Sequence, residues 1–130
     1  MQDQLIEFNT AKLAKEKGFN VHCKNTYDVA GQLWINEDFP YNSANDSLFA
    51  PTQSLLQRWL REVHQLSVCV DFRKTKTFKV RGINSVYYDV MIYRLSGGDA
   101  YKLHKMNEIS DNYETALEKG LYSALSLINS

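Results

Sequence analysis

The sequence predicts an α+β fold: an antiparallel sheet of three to four strands with helices packed on one of its faces. Three observations lead there. Residues 51–65 carry one apolar stripe at helical period, Leu55, Leu56, Trp59, Leu60 and Val63. Residues 66–104 alternate apolar and polar at period two. Residues 111–129 then return to helical spacing. Strands grouped between helices, instead of alternating with them, favour a layered α+β body. A chain of 130 residues makes a single domain, 1–130, with room for one core.

Each element has a local reason. A short helix over 8–18 is predicted from Asn9 as N-cap, with Phe8 and Leu13 in the positions of a hydrophobic staple. Gly18 ends it in the left-handed conformation, and Phe19 takes the apolar contact of a Schellman ending. Val21-His22-Cys23 and Gln32-Leu33-Trp34-Ile35 read as two short strands turning at Asp28 to Gly31. Residues 36–50, rich in Asn, Asp and Ser, read as a long loop anchored by Phe39, Tyr41 and Phe49.

The central helix over 51–65 places Pro51 in its first turn and pairs Arg58 with Glu62 on its wet face. Trp59, its largest apolar side chain, is expected to gather the following strands around it. Those strands are Val68 to Arg73, Thr77 to Arg81, Val86 to Leu95, and a weaker one over Ala100 to His104. Ser96-Gly97-Gly98-Asp99 is a hairpin turn. Asp111 and Glu114 form a capping box for the last helix, whose buried stripe is Tyr113, Leu117, Leu121, Ala124, Leu125 and Ile128. Gly120 costs about 1 kcal/mol in a helix interior, so it marks a close approach to the sheet or another helix.

Composition narrows the function. Fifteen basic and fifteen acidic residues cancel, so no global field recruits nucleic acid or an anionic membrane. No apolar run approaches the roughly 20 residues of a membrane span. Met1-Gln2-Asp3-Gln4 lacks the basic and apolar regions of a signal peptide. Cys23 and Cys69 are too few for a disulfide framework and read as reduced thiols of a cytoplasmic protein.

The most basic stretch runs from Arg73 to Arg81, five cations with no acid in nine residues. Alternation assigns Arg73, Lys79 and Arg81 to the sheet face away from the helices. Tyr87, Asp89, Met91 and Tyr93 belong to the same face on the longest strand. Cations and aromatic rings there can stack bases and neutralise phosphates. Equally, they can form cross-strand pairs on a solvated face, diluted by Asp71 and Asp89.

Other constellations carry less. His64, Cys69 and Asp71 have the residue types of a thiol nucleophile, its base and an orienting carboxylate, but no nucleophile turn or oxyanion loop accompanies them. His22-Cys23 with His64, Cys69 or His104 does not match the paired spacing of a metal site. Gly97-Gly98 lacks the strand-to-helix context of a phosphate loop. No catalytic residue, metal or cofactor is assigned.

Three segments resemble a group of small uncharacterised proteins of phages and mobile elements of gut bacteria. They are Thr10-Ala11-Lys12-Leu13-Ala14-Lys15-Glu16-Lys17-Gly18-Phe19, the run Ala50-Pro51-Thr52-Gln53-Ser54-Leu55-Leu56-Gln57-Arg58-Trp59-Leu60-Arg61-Glu62-Val63-His64, and Tyr113-Glu114-Thr115-Ala116-Leu117-Glu118-Lys119-Gly120-Leu121. The resemblance implies an accessory protein and transfers no activity. From residue 51 the order α-β-β-β-α is also similar to a double-stranded-RNA-binding domain. That fold grips phosphates with lysines at the start of its last helix, where this chain reads Asp111 to Glu118 and is acidic.

The expectation is therefore a non-enzymatic binding or adaptor protein of phage or mobile-element origin. It acts through the open sheet face at Arg73, Lys79, Arg81, Tyr87 and Tyr93 on a protein partner. Nucleic acid on the basic strands is one alternative, and a pocket for a nucleotide-like metabolite another. An exposed edge strand also allows a homodimer.

Overall fold

The computed structural model describes residues 3–35, 48–80, 83–96, 98–110 and 112–128, with backbone alone over 72–80, 83–87 and 99–110. In order, the elements are α1 (Phe8–Glu16), β1 (Thr26–Tyr27), β2 (Leu33–Trp34), β3 (Leu48–Phe49), α2 (Gln53–Val63), β4 (Leu66–Val80), β5 (Ile83–Ser96), β6 (Asp99–Ser110) and α3 (Tyr113–Ser126). They form two antiparallel sheets, a small one ordered β2-β1-β3 and a larger one ordered β4-β5-β6. The class is α+β. The order from α2 onward is α-β-β-β-α.

α1 ends as the sequence predicts and begins differently. Gly18 has φ +95°, its N–H donates to the Lys15 carbonyl at 3.1 Å, and the Phe19 N–H reaches Ala14 at 2.9 Å. Those two bonds define a Schellman ending. Phe19, 4% exposed, then packs edge-on against Trp59 with ring centroids 5.2 Å apart. At the other end the N-cap is Glu7 and not Asn9, and no side chain of α1 itself caps the helix.

The turn at Asp28 to Gly31 forms, but the strand before it is Thr26–Tyr27 and not Val21-His22-Cys23. Asp28 fixes this choice. Its carboxylate accepts from the backbone N–H of Ala30 (2.9 Å) and Gln32 (3.0 Å) and from the Trp34 indole N–H (3.0 Å). β1 also pairs with Leu48–Phe49, so the last residues of the expected loop are a strand. Phe39 and Tyr41 lie outside the described residues.

α2 starts at Gln53 because the Thr52 hydroxyl accepts the Leu55 N–H at 3.2 Å. Pro51 therefore precedes the N-cap and does not sit in the first turn. The chain's beginning docks there: Ile6 donates to the Pro51 carbonyl at 3.0 Å and Gln53 to that of Gln4 at 2.8 Å. Leu56, Trp59 and Leu60 are buried, whereas Val63, expected in the stripe, is 58% exposed. Arg58 and Glu62 pair on the wet face at 3.0 Å.

Residues 66–80 form one strand and not two. β6 extends to Ser110, past the expected His104. Ser96 and Asp99 are register partners, as the glycine turn requires. α3 is capped by Asn112, whose side chain accepts from Thr115 at 3.1 Å; Asp111 lies outside the described residues. Tyr113 is half exposed and meets Tyr88 edge-on instead of joining the buried stripe.

The core lies between the helices and one face of the larger sheet, with Leu56, Leu60, Leu66, Val68, Val90, Ile92, Leu117, Leu121 and Leu125 at its centre. Gly120 faces that sheet. A Cβ there would stand 2.5 Å from Val90 Cγ1 and 2.9 Å from Val68 Cγ1, distances that allow no methyl group.

Two predictions follow from these contacts. Gly120→Ala gains about 1 kcal/mol of helix propensity but overpacks a filled interface, which costs about 1–3 kcal/mol. Net destabilisation of about 1 kcal/mol is expected in urea unfolding, and Val90→Ala introduced together with it relieves part of the loss. The second concerns Asp28, whose pKa lies below its ordinary 3.8, first because of the Trp34 indole bond and then the Gln32 N–H. A depressed carboxylate stabilises the fold above its unfolded pKa, and that contribution fades as pH falls through the folded value. The Trp34 indole resonance is thus expected to hold its position from neutral pH to 3.8 and to move only below it, a response that Asp28→Asn abolishes.

Candidate functional site

The helix-free face of the larger sheet is set by register. β4 and β5 pair Ser67 with Tyr93, Cys69 with Met91, Asp71 with Asp89, and Arg73 with Tyr87. The intervening pairs, Val68 with Ile92 and Val70 with Val90, belong to the helix side, since Val68 and Val90 contact Gly120 of α3. Side chains alternate along a strand, so Asp71, Asp89, Met91 and Tyr93 face away from the helices.

This face is drier than its sequence suggests. Asp89 is 3% exposed and Met91 8%. β5 is the central strand of the larger sheet, with β4 on one side and β6 on the other. Tyr93 is half-buried, and its hydroxyl donates to Met91 Sδ at 3.3 Å. One oxygen of Asp89, Oδ1, is buried without a hydrogen-bond partner. Asp71 stands directly across the ladder from it. Like charges at opposed positions disfavour an antiparallel pair.

The five positions predicted for binding are only partly brought together. Arg73 and Tyr87 are register partners, and Tyr93 lies farther along the same strand at the same parity. Lys79 pairs with Asn84, because β4 advances five residues, Lys74 to Lys79, while β5 advances two, Val86 to Asn84. Asn84 shares the parity of Val86 and not that of Tyr87, so the register slip takes Lys79 out of line with the tyrosines. Arg81 lies outside the described residues.

The thiol constellation does not assemble. His64 packs on Trp59 with ring centroids 4.7 Å apart, in the helical layer. Cys69 and Asp71 are on the other side of the sheet, with Cys69 Sγ 3.6 Å from Ser67 Oγ. Cys23 donates to the Val21 carbonyl, and burial pushes its thiol pKa up, which disfavours the thiolate. Among the described residues, no three or more His, Cys, Asp or Glu side chains are grouped to hold a metal ion. Among them also, no helix is long and apolar enough to cross a membrane.

A cleft of about 390 Å³, the kind of space a small metabolite needs, lies between Glu7 and Thr10 at the start of α1 and Glu118, Lys119 and Tyr122 of α3. One of its two carboxylates, that of Glu118, is already engaged. Glu118, 6% exposed, accepts the Glu7 N–H through Oε2 and the Gln53 amide through Oε1, both at 3.0 Å. The same Gln53 amide donates to the Glu114 carbonyl at 2.9 Å. A negative group at the N-terminal end of α1 opposes the positive end of the helix dipole, so α3 supplies the cap that α1 lacks. Tyr27 closes the network by donating to the Ile6 carbonyl at 2.7 Å; its pKa is raised by burial and then by the charges of Glu118 and Glu7. Sequence reasoning missed both polar members. The signal was there in phase: Gln53 lies three and seven residues before Leu56 and Leu60, and Glu118 three and seven before Leu121 and Leu125.

Glu118→Ala is expected to lower unfolding stability by about 1–2 kcal/mol, because the Glu7 N–H loses its acceptor and the Gln53 amide keeps only the Glu114 carbonyl. Glu118→Gln retains one acceptor and should cost less, and equilibrium denaturation of both variants checks the order.

Compared with protein-family profiles, with curated proteins and with solved structures, the chain matches none of them.

Proposed function

We propose that this chain is a non-enzymatic binding protein, an accessory of a phage or mobile element acting in the host cytoplasm, whose partner is another protein seated on the helix-free face of β4-β5-β6. The observation that carries this reading is the buried, unpartnered Oδ1 of Asp89 with Asp71 opposite it. A buried unsatisfied oxygen costs about 1–3 kcal/mol. A cationic side chain brought by a partner would satisfy it, with Met91 and Tyr93 as the apolar and aromatic surround of a hot spot. Arg73, Lys79, Arg81, Tyr87 and Tyr93 are the positions expected to extend the contact.

The phage or mobile-element origin rests on the three segments resembling that group. The α-β-β-β-α order supports a likeness to double-stranded-RNA-binding domains in order only. Glu114 in the first turn of α3 and Glu118 one turn later are of the wrong sign for phosphates at that helix. β4 and β6 are the outer strands of the larger sheet, which leaves an edge for a second copy.

Asp89→Asn tests the reading directly. The variant is expected to raise unfolding stability slightly, by about 1 kcal/mol, since it removes a charge facing Asp71. It should also lose the protein that the wild type captures from host-cell extract. Undiminished capture by the variant would end the assignment of this face.

A further inference from the structure

We propose a second binding surface that adjoins the face centred on Asp89 and shares basic residues with its outer contacts: the two-stranded ribbon that β4 and β5 form beyond the end of β6 binds the phosphate backbone of duplex DNA. The backbone pairing defines this ribbon. β6 stops at Ser110, opposite Tyr88. β4 and β5 continue as a pair through Arg73–Tyr87, Lys74–Val86, Lys79–Asn84 and Val80–Ile83. From Tyr88 to Ile83 that is five strand steps, roughly 17 Å past the three-stranded part.

Charge makes the ribbon unlike the rest of the chain. Between Asp71 and Asp89 there is no carboxylate, while Arg73, Lys74, Lys76, Lys79 and Arg81 fall within that interval. One third of the fifteen cations therefore belong to this stretch, and the remaining ten are set against all fifteen acids. The neutral total conceals a basic ribbon on an acidic body, an arrangement that orients a protein toward a polyanion. Shape selects the polyanion. The major groove of B-DNA, about 12 Å wide, admits a two-stranded β-ribbon, whereas the major groove of A-form RNA is too narrow and deep to be entered. The register slip between Lys74 and Lys79 adds residues to β4 alone, and such an insertion bends and twists a ribbon, as following a groove requires.

Four described cationic positions on β4, Arg73, Lys74, Lys76 and Lys79, give the measurable consequence. Release of counterions from four phosphates predicts a slope of log affinity on log salt of about −3.6, a loss of roughly a hundredfold between about 50 and 200 mM. The experiment is fluorescence anisotropy of the full chain on a short labelled DNA duplex across that range, with an RNA duplex alongside. Lys74→Gln with Lys76→Gln is expected to halve the slope, to about −1.8. Lys74→Arg with Lys76→Arg is expected to preserve it and guards against a variant that misfolds. The Lys74→Gln, Lys76→Gln variant is expected to keep its capture of the host protein, so failure here is distinct from failure of the protein-binding face. Absence of DNA binding at low salt, an unchanged slope in the folded glutamine variant, or tighter binding of the RNA duplex would each overturn the proposal.

Discussion

The spacing between α3 and the larger sheet is set by a side chain that is missing. At Gly120 the helix backbone comes so near Val68 and Val90 that any Cβ would collide with their methyl groups. Such proximity brings Leu117, Leu121 and Leu125 down onto Leu66, Val68 and Ile92, each almost wholly buried. It also decides which side of β4 and β5 is covered. A strand has two faces and a fixed alternation, so seating Val68 and Val90 beneath α3 sends Asp71, Asp89 and Tyr93 to the opposite side. Both proposed surfaces inherit their geometry from that contact.

A polar tie holds the three helices as the apolar core cannot. Glu118 belongs to α3, its donors to the start of α1 and the first turn of α2, and both of its oxygens are occupied. A buried carboxylate is tolerable only when its acceptors are filled, and here the Glu7 N–H and the Gln53 amide fill them. α1 depends on this arrangement most, since its own N-cap residue makes no side-chain cap. The engagement also commits Glu118, one of the two glutamates lining the nearby cleft, to holding the helices together. A carboxylate that orders two helix starts cannot turn toward a substrate without releasing both.

Much of the layout was legible in the sequence because it depends on period and on a few special residues. Helical spacing located α2 and α3, alternation gave the facing of β5, and Gly18, Gly98 and Gly120 each marked a backbone requirement. Cap positions were off by one or two residues where two cap-forming side chains compete, as at Asp111 and Asn112. The small sheet was misplaced because two-residue strands have no period to read; hydrogen bonds to Asp28 choose Thr26–Tyr27 over Val21-His22-Cys23. The end of β6, Lys105-Met106-Asn107-Glu108, has weak strand propensity, and pairing with β5 overrides it. At the candidate site, parity along β5 was readable while the slip in β4 was not. Nothing in Arg73 to Arg81 announces extra residues in one strand; only the partner strand reveals them.

The slip bears on how the two surfaces divide the work. With a continuous register, Lys79 would have kept the parity of Arg73 and the tyrosines, on the side that also carries Asp71 and Asp89. The slip takes Lys79 out of that line, while Arg73 stays in register with Tyr87 next to the Asp71–Asp89 pair, of which Asp89 is buried and Asp71 half-buried. A carboxylate oxygen left buried and unpartnered beside a run of five cations is not explained by a shortage of basic residues in the sequence. On the reading proposed above, the unpartnered oxygen of Asp89 is left to a cation from outside the chain and the basic ribbon to an anion.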